Sequence, residues 1–192
     1  MSMTRTFVAA KLGPESNATL ARLSERLRQG LPPARWVGSA EFHLTLAFLG
    51  DVPTADLPLL EQVLLGALAD SAPFAVRLAG VGGFPRPERA TVLWAGFSAG
   101  GEELSRLNRR IAAVCRELGI PPDDRFHPHL TLARFNHRTR RPPDLSAAIA
   151  EAEKWTGPED RIDSLFLMAS ELRPSGPVYS EIAPLPLAAA SA

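Results

Sequence analysis

Residues 43–50, "HLTLAFLG", contain a histidine and a threonine two positions apart in a stretch that is otherwise apolar. Residues 129–134 read "HLTLAR", so five letters recur in the same order 86 residues later. Side chains alternate between the two faces of a β-strand. Each stretch therefore predicts a strand that buries leucines on one face and presents a histidine and a threonine on the other.

An internal repeat extends outward from these two motifs. When the first half of the chain is shifted by 86 residues, predicted elements coincide in the order strand, helix, HLTL strand, helix, strand. The two repeats cover about 5–81 and 91–167. We therefore expect a single bilobal domain over residues 1–192 with approximate two-fold symmetry. Residues 186–192 are expected to form a flexible tail.

The hydrophobic periodicity predicts an α+β fold. Each of two pseudo-symmetric lobes is expected to be an antiparallel β-sheet with helices on its outer face, and the lobes are expected to form a central cleft. The predicted strands lie near 6–12, 43–48, 73–81, 91–97, 129–134, 161–169 and 178–184. The predicted helices lie near 15–29, 55–70, 101–118 and 144–154.

Composition limits the classes of protein to consider. The formal net charge is zero, so any binding of nucleic acid must come from a local patch of charge. The one cysteine, Cys115, cannot form an intramolecular disulfide and lies in a helical pattern typical of a buried core residue. The first apolar run stops at Lys11, too early for a signal peptide. We expect a soluble, cytoplasmic monomer that does not bind membranes.

Paired histidines and threonines suit acid–base chemistry at phosphorus. Imidazole has an ordinary pKa of about 6.5, so one ring can be protonated while the other is neutral. Two hydroxyls can donate hydrogen bonds to the oxygens of a tetrahedral phosphate. In-line displacement needs a base behind the attacking oxygen and an acid behind the departing one. The residues alone predict a two-histidine cleft of this kind.

The sequence resembles the 2H phosphoesterases, a family named for two His-x-Thr motifs. Within that family it is similar to the RNA 2′,3′-cyclic phosphodiesterases, formerly called 2′-5′ RNA ligases. The resemblance spans nearly the whole chain and rests on five stretches: "RTFVAAKL" at 5–12, "HLTLAFLGDV" at 43–52, "GVGGFPRPERATVLWAGF" at 80–97, "RFHPHLTLARF" at 125–135 and "LFLMASELRPSGPVYSEIAPLPL" at 165–187.

The resemblance implies a reaction and a role for each motif residue. His43 matches the histidine that protonates the leaving 3′ oxygen, and His129 matches the one that deprotonates water. Thr45 and Thr131 match the hydroxyls that hold the phosphate. The implied substrates are RNA ends or cyclic nucleotides, opened to 2′-phosphates without a metal or other cofactor. Reversible 2′-5′ ligation, or a non-catalytic module that binds RNA ends or nucleotides, remains an alternative.

Further substrate contacts are predicted around the second motif and the last strand. Arg134 lies opposite to His129 by strict alternation, unless the strand bulges or ends there, and either forms a salt bridge or contacts phosphate. Phe48 falls on the apolar face by the same count, which favours the core over base stacking. Tyr179 either stacks on the substrate or packs internally.

The basic run "RFNHRTRR" at 134–141 is either a solvated loop or a grip on backbone phosphates, with Arg138 as the candidate contact. His137, Arg140 and Arg141 belong to the same run. A glycine- and proline-rich stretch that contains Arg86 and Arg89 is a second candidate flank of the cleft.

His127 lies two positions before His129, so a three-histidine zinc site that includes His43 is a further alternative. No acidic or cysteine ligand stands at the right spacing in either motif, and a metal site would leave the threonines without a role. We therefore expect no metal and treat His127 as a possible substrate contact.

Overall fold

The computed structural model describes residues 2–122, 125–135, 142–173 and 176–188. The described strands are β1 (Met3–Ala10), β2 (Arg35–Trp36), β3 (Leu44–Pro53), β4 (Phe74–Phe84), β5 (Val92–Ala99), β6 (Leu130–Arg134), β7 (Thr156–Ile162), β8 (Ser164–Arg173) and β9 (Gly176–Pro186). The described α-helices are α1 (Pro14–Arg28), α2 (Leu57–Leu68), α3 (Gly101–Glu117) and α4 (Ser146–Glu151).

The strands form one open antiparallel sheet in the order β7-β4-β5-β6-β3-β1-β8-β9, with the short β2 paired to β6. The predicted α+β class is therefore confirmed, and the two expected lobes are the two halves of this sheet. The halves meet in the middle, where β3 and β6 pair through Leu44 and Leu130. Only Asp163 separates β7, at one edge, from β8 in the other half.

The sequence repeats and the halves of the sheet do not coincide. By sequence β4 closes the first repeat, yet it pairs with β5 of the second repeat. The strand β8 belongs to the second repeat, yet it pairs with β1 of the first. Each repeat thus contributes its last strand to the other half, so neither repeat could form its half of the sheet alone.

One hydrophobic core lies between the sheet and the helices. The four motif leucines, Leu44, Leu46, Leu130 and Leu132, are at most 1% exposed. They belong to a single cluster with the buried leucines of α1, α2 and α3. Full burial of one leucine side chain contributes roughly 1.5–3 kcal/mol relative to exposure. These leucines therefore anchor the strands from which the polar residues of the motifs project.

Three sequence predictions differ from the structure. The strand predicted at 161–169 is two strands, β7 and β8, which pair in opposite halves of the sheet. The pairing of β2 with β6 was not predicted, since two residues give no periodicity. The tail expected from 186 begins too early, because Pro186 pairs with Ser164 and Leu187 is buried. Residues 189–192 lie outside the described part.

Cys115 is fully buried, as expected, and burial raises the pKa of its thiol to about 11. Within the described residues, no helix has the length and apolar character needed to span a membrane.

Candidate active site

A cleft of about 620 Å³ opens where the two central strands begin. It is lined by His43, Thr45, His129 and Thr131, so the structure brings the four residues of the two motifs together. The antiparallel pair between Leu44 and Leu130 lies between them. Extending that register by one residue sets His43 beside Thr131 and Thr45 beside His129. The four groups therefore form a pseudo-symmetric quartet around the leucine pair.

Both central strands contain a β-bulge at the equivalent position. Between β1 and β3 the partners pass from Val8 and Ala47 to Ala9 and Thr45, so Leu46 has no partner on β1. Between β5 and β6 they pass from Leu93 and Ala133 to Trp94 and Thr131, which leaves Leu132 without a partner on β5. Leu46 and Leu132 are 86 residues apart, so the two motifs share the bulge as well as the letters.

The bulges change which residues reach the cleft. A bulge adds one residue to a strand and shifts the alternation of the side chains beyond it. Phe48 is 39% exposed and lines the cleft, so the prediction that favoured the core for it is wrong. Arg134 is exposed and also lines the cleft, against strict alternation and in agreement with the stated exception of a bulge. The two motifs thus give the cleft an aromatic ring on one side and a guanidinium on the other.

Each bulge is held by a hydrogen bond to the carbonyl of its extra residue. The buried side chain of Asn108, on α3, donates from Nδ2 to the Leu46 carbonyl at 2.7 Å. The backbone N–H of Val37, which follows β2, donates to the Leu132 carbonyl at 2.9 Å. Unsatisfied buried carbonyls are costly, so these two donors stabilise the bulged conformation.

The same backbone contact fixes the tautomer of each motif histidine. Nδ1 of His43 lies 2.7 Å from the carbonyl oxygen of Glu41, and Nδ1 of His129 lies 2.7 Å from that of His127. A carbonyl oxygen only accepts hydrogen bonds, so Nδ1 carries the hydrogen in both rings. Nε2 is therefore the nitrogen that gains or loses a proton in each histidine.

Aromatic rings pack against both histidines. His43 lies 4.9 Å from Tyr179 and 5.2 Å from Phe7 between ring centroids. His129 lies 5.0 Å from Phe84, edge to face. Burial lowers the pKa of both histidines below the ordinary value of 6.5. The hydrogen bond from Nδ1 to a carbonyl acts in the opposite direction in both, because it stabilises the charged ring.

The two threonine hydroxyls are available for a ligand. Thr45 and Thr131 are partly exposed and line the cleft. Within the described residues, neither hydroxyl forms a hydrogen bond to another residue, so both can donate to oxygens of a bound anion.

Sequence reasoning missed two arginines of the cleft. Arg5 and Arg35 line it together with Arg134. Among the described residues that line the cleft, Glu41 is the one with an acidic side chain. The guanidinium of Arg5 lies 4.5 Å from the centroid of the Phe48 ring. The guanidinium of Arg35 packs against Gly176, in the space that a β-carbon would occupy there. Arg5 lies on β1, where only the alternation of the strand offered a signal, and Arg35 lies on the two-residue strand β2, which is too short to show a pattern.

The structure places the remaining predicted substrate contacts in different parts of the molecule. Tyr179 lines the cleft and also packs against Phe7 and His43, so both of the predicted alternatives stay open. His127 instead lines a neighbouring groove of about 950 Å³ beside Trp94 and the start of α3, with its ring 6.3 Å from that of His129. Arg86 and Arg89 are exposed outside the cleft lining. Arg138, like His137, Arg140 and Arg141, lies outside the described residues.

Trp94 lines the larger groove but not the cleft. Its indole packs flat against Gly82, which has no β-carbon in the way, and its ring centroid lies 4.8 Å from His127. In the described part of the chain, no group of three or more histidine, cysteine or acidic side chains could hold a metal ion. The lining of the larger groove includes neither the motif histidines nor the motif threonines, so the smaller cleft is the better candidate for phosphate chemistry.

This chain has an open antiparallel sheet with a His-x-Thr motif at the start of each of its two central strands, and several solved structures are similar to it in fold. The protein TT0787 of Thermus thermophilus matches with a TM-score of 0.79 and 32% identity, over 97% of this chain and 100% of that one. Escherichia coli LigT complexed with 3′-AMP matches with a TM-score of 0.72 over 97% and 99%. Its identity is 23%, so this likeness shows the fold alone.

Curated relatives are named RNA 2′,3′-cyclic phosphodiesterase. The protein of Aeropyrum pernix is 31% identical, over 85% of this chain and 92% of that protein. The protein of Geobacillus stearothermophilus is 36% identical over 70% of this chain, although the match covers only 43% of that relative. The model of the 2′-5′ RNA ligase superfamily matches residues 43–173. The chain belongs to this superfamily, in agreement with the resemblance to the 2H phosphoesterases that the sequence predicted.

Proposed function

We propose that the protein hydrolyses 2′,3′-cyclic phosphates at RNA or nucleotide ends to 2′-phosphates, without a metal. The observation that carries this proposal is the pair of histidines in one cleft, each with Nδ1 bonded to a carbonyl and Nε2 left to exchange a proton. The names of the relatives support the choice of substrate.

The reaction follows from the two Nε2 atoms. Neutral His129 accepts a proton from water through Nε2 as the water oxygen attacks phosphorus. The bond between phosphorus and the 3′ oxygen breaks, and protonated His43 gives its Nε2 proton to that oxygen. The product has a 2′-phosphate and a 3′-hydroxyl, and the two histidines exchange protons with solvent before the next turnover. General acid and base groups of this kind each contribute about 10²–10⁴-fold to the rate.

Other residues of the cleft stabilise the substrate. The hydroxyls of Thr45 and Thr131 donate hydrogen bonds to the non-bridging phosphate oxygens, and the charge of Arg134 stabilises the negative charge that they carry in the transition state. The exposed ring of Phe48, with Arg5 on it, offers a stacking surface for the base. This division of the cleft into a charged side and an aromatic side suits the end of an RNA strand.

The match to the 2′-5′ RNA ligase superfamily favours one second candidate, the joining of RNA ends. There a 5′-hydroxyl of another RNA end replaces water as the nucleophile, and the same two histidines move the protons. The product is a 2′-5′ phosphodiester instead of a 2′-phosphate, so the product distinguishes the two candidates.

The test uses a short RNA that ends in a 2′,3′-cyclic phosphate, alone and with a second RNA that carries a 5′-hydroxyl. We expect a 2′-phosphate product, identified by ³¹P NMR, with or without EDTA. Replacement of His43 or His129 by alanine should each lower kcat by about 10²–10⁴-fold. The surface variant Glu25→Gln, on α1, serves as the matched control and should keep wild-type activity.

The other possible results of this test each point to a different function or mechanism. No turnover of RNA or nucleoside cyclic phosphates at high enzyme concentration would identify a binding module. Activity lost on chelation would identify metal-dependent hydrolysis, and full activity in either histidine variant would remove that residue from the mechanism.

A further inference from the structure

The two residues that hold the catalytic histidines occupy equivalent positions. Glu41 and His127 each lie two residues before a motif histidine, and they are 86 residues apart, the offset of the repeat. Each accepts the Nδ1 hydrogen of its histidine on its backbone carbonyl at 2.7 Å. The backbone contact is therefore the same in both motifs, whereas the side chains carry opposite possible charges.

We propose that this pair of side chains, a carboxylate at Glu41 and an imidazole at His127, determines which motif histidine gives the proton and which accepts it. The proposal rests on the proposed two-histidine reaction and deepens it. Because the carbonyl contact and the tautomer are the same in both motifs, they cannot make one histidine the acid and the other the base. Side chains of different charge beside the two rings can do so. Glu41 and His127 would then act on the reaction through the motif histidines and not by contact with the substrate.

The other charges near the two histidines do not give this asymmetry. Arg134 lowers the pKa of both rings, so it does not distinguish them. Lys11 lowers the pKa of His43, but its ammonium is paired with Glu181 at 2.8 Å. The third neighbour, Tyr179, contacts His43 by ring packing, with the two rings edge to face.

The remaining charges act in opposite directions. The Glu41 carboxylate, in the same cleft lining as His43, raises the pKa of His43, whereas the His127 ring, 6.3 Å from that of His129 between centroids, lowers the pKa of His129. At a given pH, His43 is therefore the ring that these charges keep protonated and His129 the one that they keep neutral.

The direction of each effect on the pH profile follows from the roles. The acid His43 must be protonated, so its pKa sets the alkaline limb of kcat/KM. The base His129 must be neutral, so its pKa sets the acid limb. Loss of the Glu41 charge should move the alkaline limb to lower pH. Loss of the His127 imidazole should raise the pKa of His129 and so move the acid limb to higher pH.

The experiment compares Glu41→Gln, Glu41→Asp and His127→Gln with wild type, using the cyclic-phosphate RNA as substrate. All three keep the backbone carbonyl, and Gln at 41 can still accept the N–H of Gly38 that Glu41 accepts at 3.4 Å. We expect Glu41→Gln to lower kcat/KM by about 3- to 10-fold one pH unit above the wild-type optimum, and by less at the acid limb. Glu41→Asp should restore the alkaline limb, and Glu25→Gln should leave the whole profile unchanged.

NMR titration of the ring protons of the free protein gives a second measurement that does not depend on turnover. Glu41→Gln should lower the pKa of His43 by more than that of His129, and His127→Gln should raise the pKa of His129 by more than that of His43. Equal changes in both rings, or no change, would overturn the inference even in an active enzyme. A shift of the acid limb in Glu41→Gln would assign the roles in reverse. A wild-type protein without turnover refutes the proposed function instead, and the NMR titration still tests the effect of the two charges.

Discussion

At the threonines, the proposed reaction gives each hydroxyl group a hydrogen-bond partner only when a substrate is bound. Thr45 and Thr131 line the cleft, and their hydroxyls form no hydrogen bond within the described residues. Removing such a group costs the folded protein little, because no internal partner is left unsatisfied. In the proposed reaction, the same removal costs the transition state a hydrogen bond to a charged oxygen. Stability and activity should therefore respond differently to one substitution.

The variant Thr131→Val tests this separation, since valine keeps the shape of the side chain and its preference for strands. A hydrogen bond to a charged group contributes about 1.5–3 kcal/mol, so kcat/KM should fall by roughly 10- to 150-fold. The urea midpoint of unfolding should stay within the experimental error of wild type or rise slightly. Thr156→Val, at an exposed position of strand β7 outside the cleft lining, is the matched control and should keep full activity. Equal losses of stability in both variants with no loss of activity would argue against phosphate binding by Thr131.

At the level of the strands, the bulge decides the composition of the cleft. Strict alternation predicts the leucine face and the His-x-Thr face, and the structure agrees with it through Leu46. Alternation does not predict the cleft position of Phe48, because Leu46 and Ala47 are both apolar and give the pattern no visible break. The one available signal was Arg134, whose charge is unfavourable on a buried face. Arg134 therefore indicates a bulge in the second motif. Phe48 is the equivalent residue of the first motif, 86 positions earlier, so the same bulge there would have predicted its exposed ring.

Asn108 makes the bulge of β3 testable. In Asn108→Leu the Leu46 carbonyl loses its donor, and an unsatisfied buried carbonyl costs about 1–3 kcal/mol. We expect a loss of unfolding free energy in that range, measured by urea denaturation. If the strand returns to regular pairing, Phe48 leaves the cleft and KM for the RNA substrate rises. Ser105→Ala on the same helix is the control, because it removes only a bond to Gly101 within α3. Wild-type stability and KM in Asn108→Leu would mean that the bulge does not depend on this contact.

At the level of the whole molecule, the repeat predicted the symmetry but not the exchange of strands between the halves. The offset of 86 residues correctly indicated two equivalent motifs that meet in one cleft. It could not indicate whether β4 pairs within its own repeat or with β5, because either pairing buries the same alternating face. The site needs the exchanged arrangement, because β4 supplies Phe84 beside His129, and Tyr179 beside His43 comes from β9, the neighbour of β8.

One continuous core crosses both halves, so we expect unfolding as a single transition whose free energy depends on pH through the two cleft histidines. Both have a folded pKa below 6.5, their ordinary value and the value expected in the unfolded chain. The unfolded state therefore binds more protons, and the free energy of unfolding rises with pH in this range. The contribution is complete above about pH 6.5. It is lost progressively as the pH falls through that value toward the folded pKa of each ring.

Urea denaturation between about pH 7.5 and pH 5.5 measures this dependence directly, above the range in which most carboxylates titrate. Wild type should lose stability steadily over that interval. The double variant His43→Gln/His129→Gln, which has no titrating ring at either position, should show a much flatter dependence. Thr131→Val keeps both rings and should retain the wild-type slope, so it separates titration of the histidines from a general change in the cleft. A wild-type protein that gains stability as the pH falls, or a double variant with an unchanged slope, would contradict the assignment of a lowered pKa to these two partly buried rings.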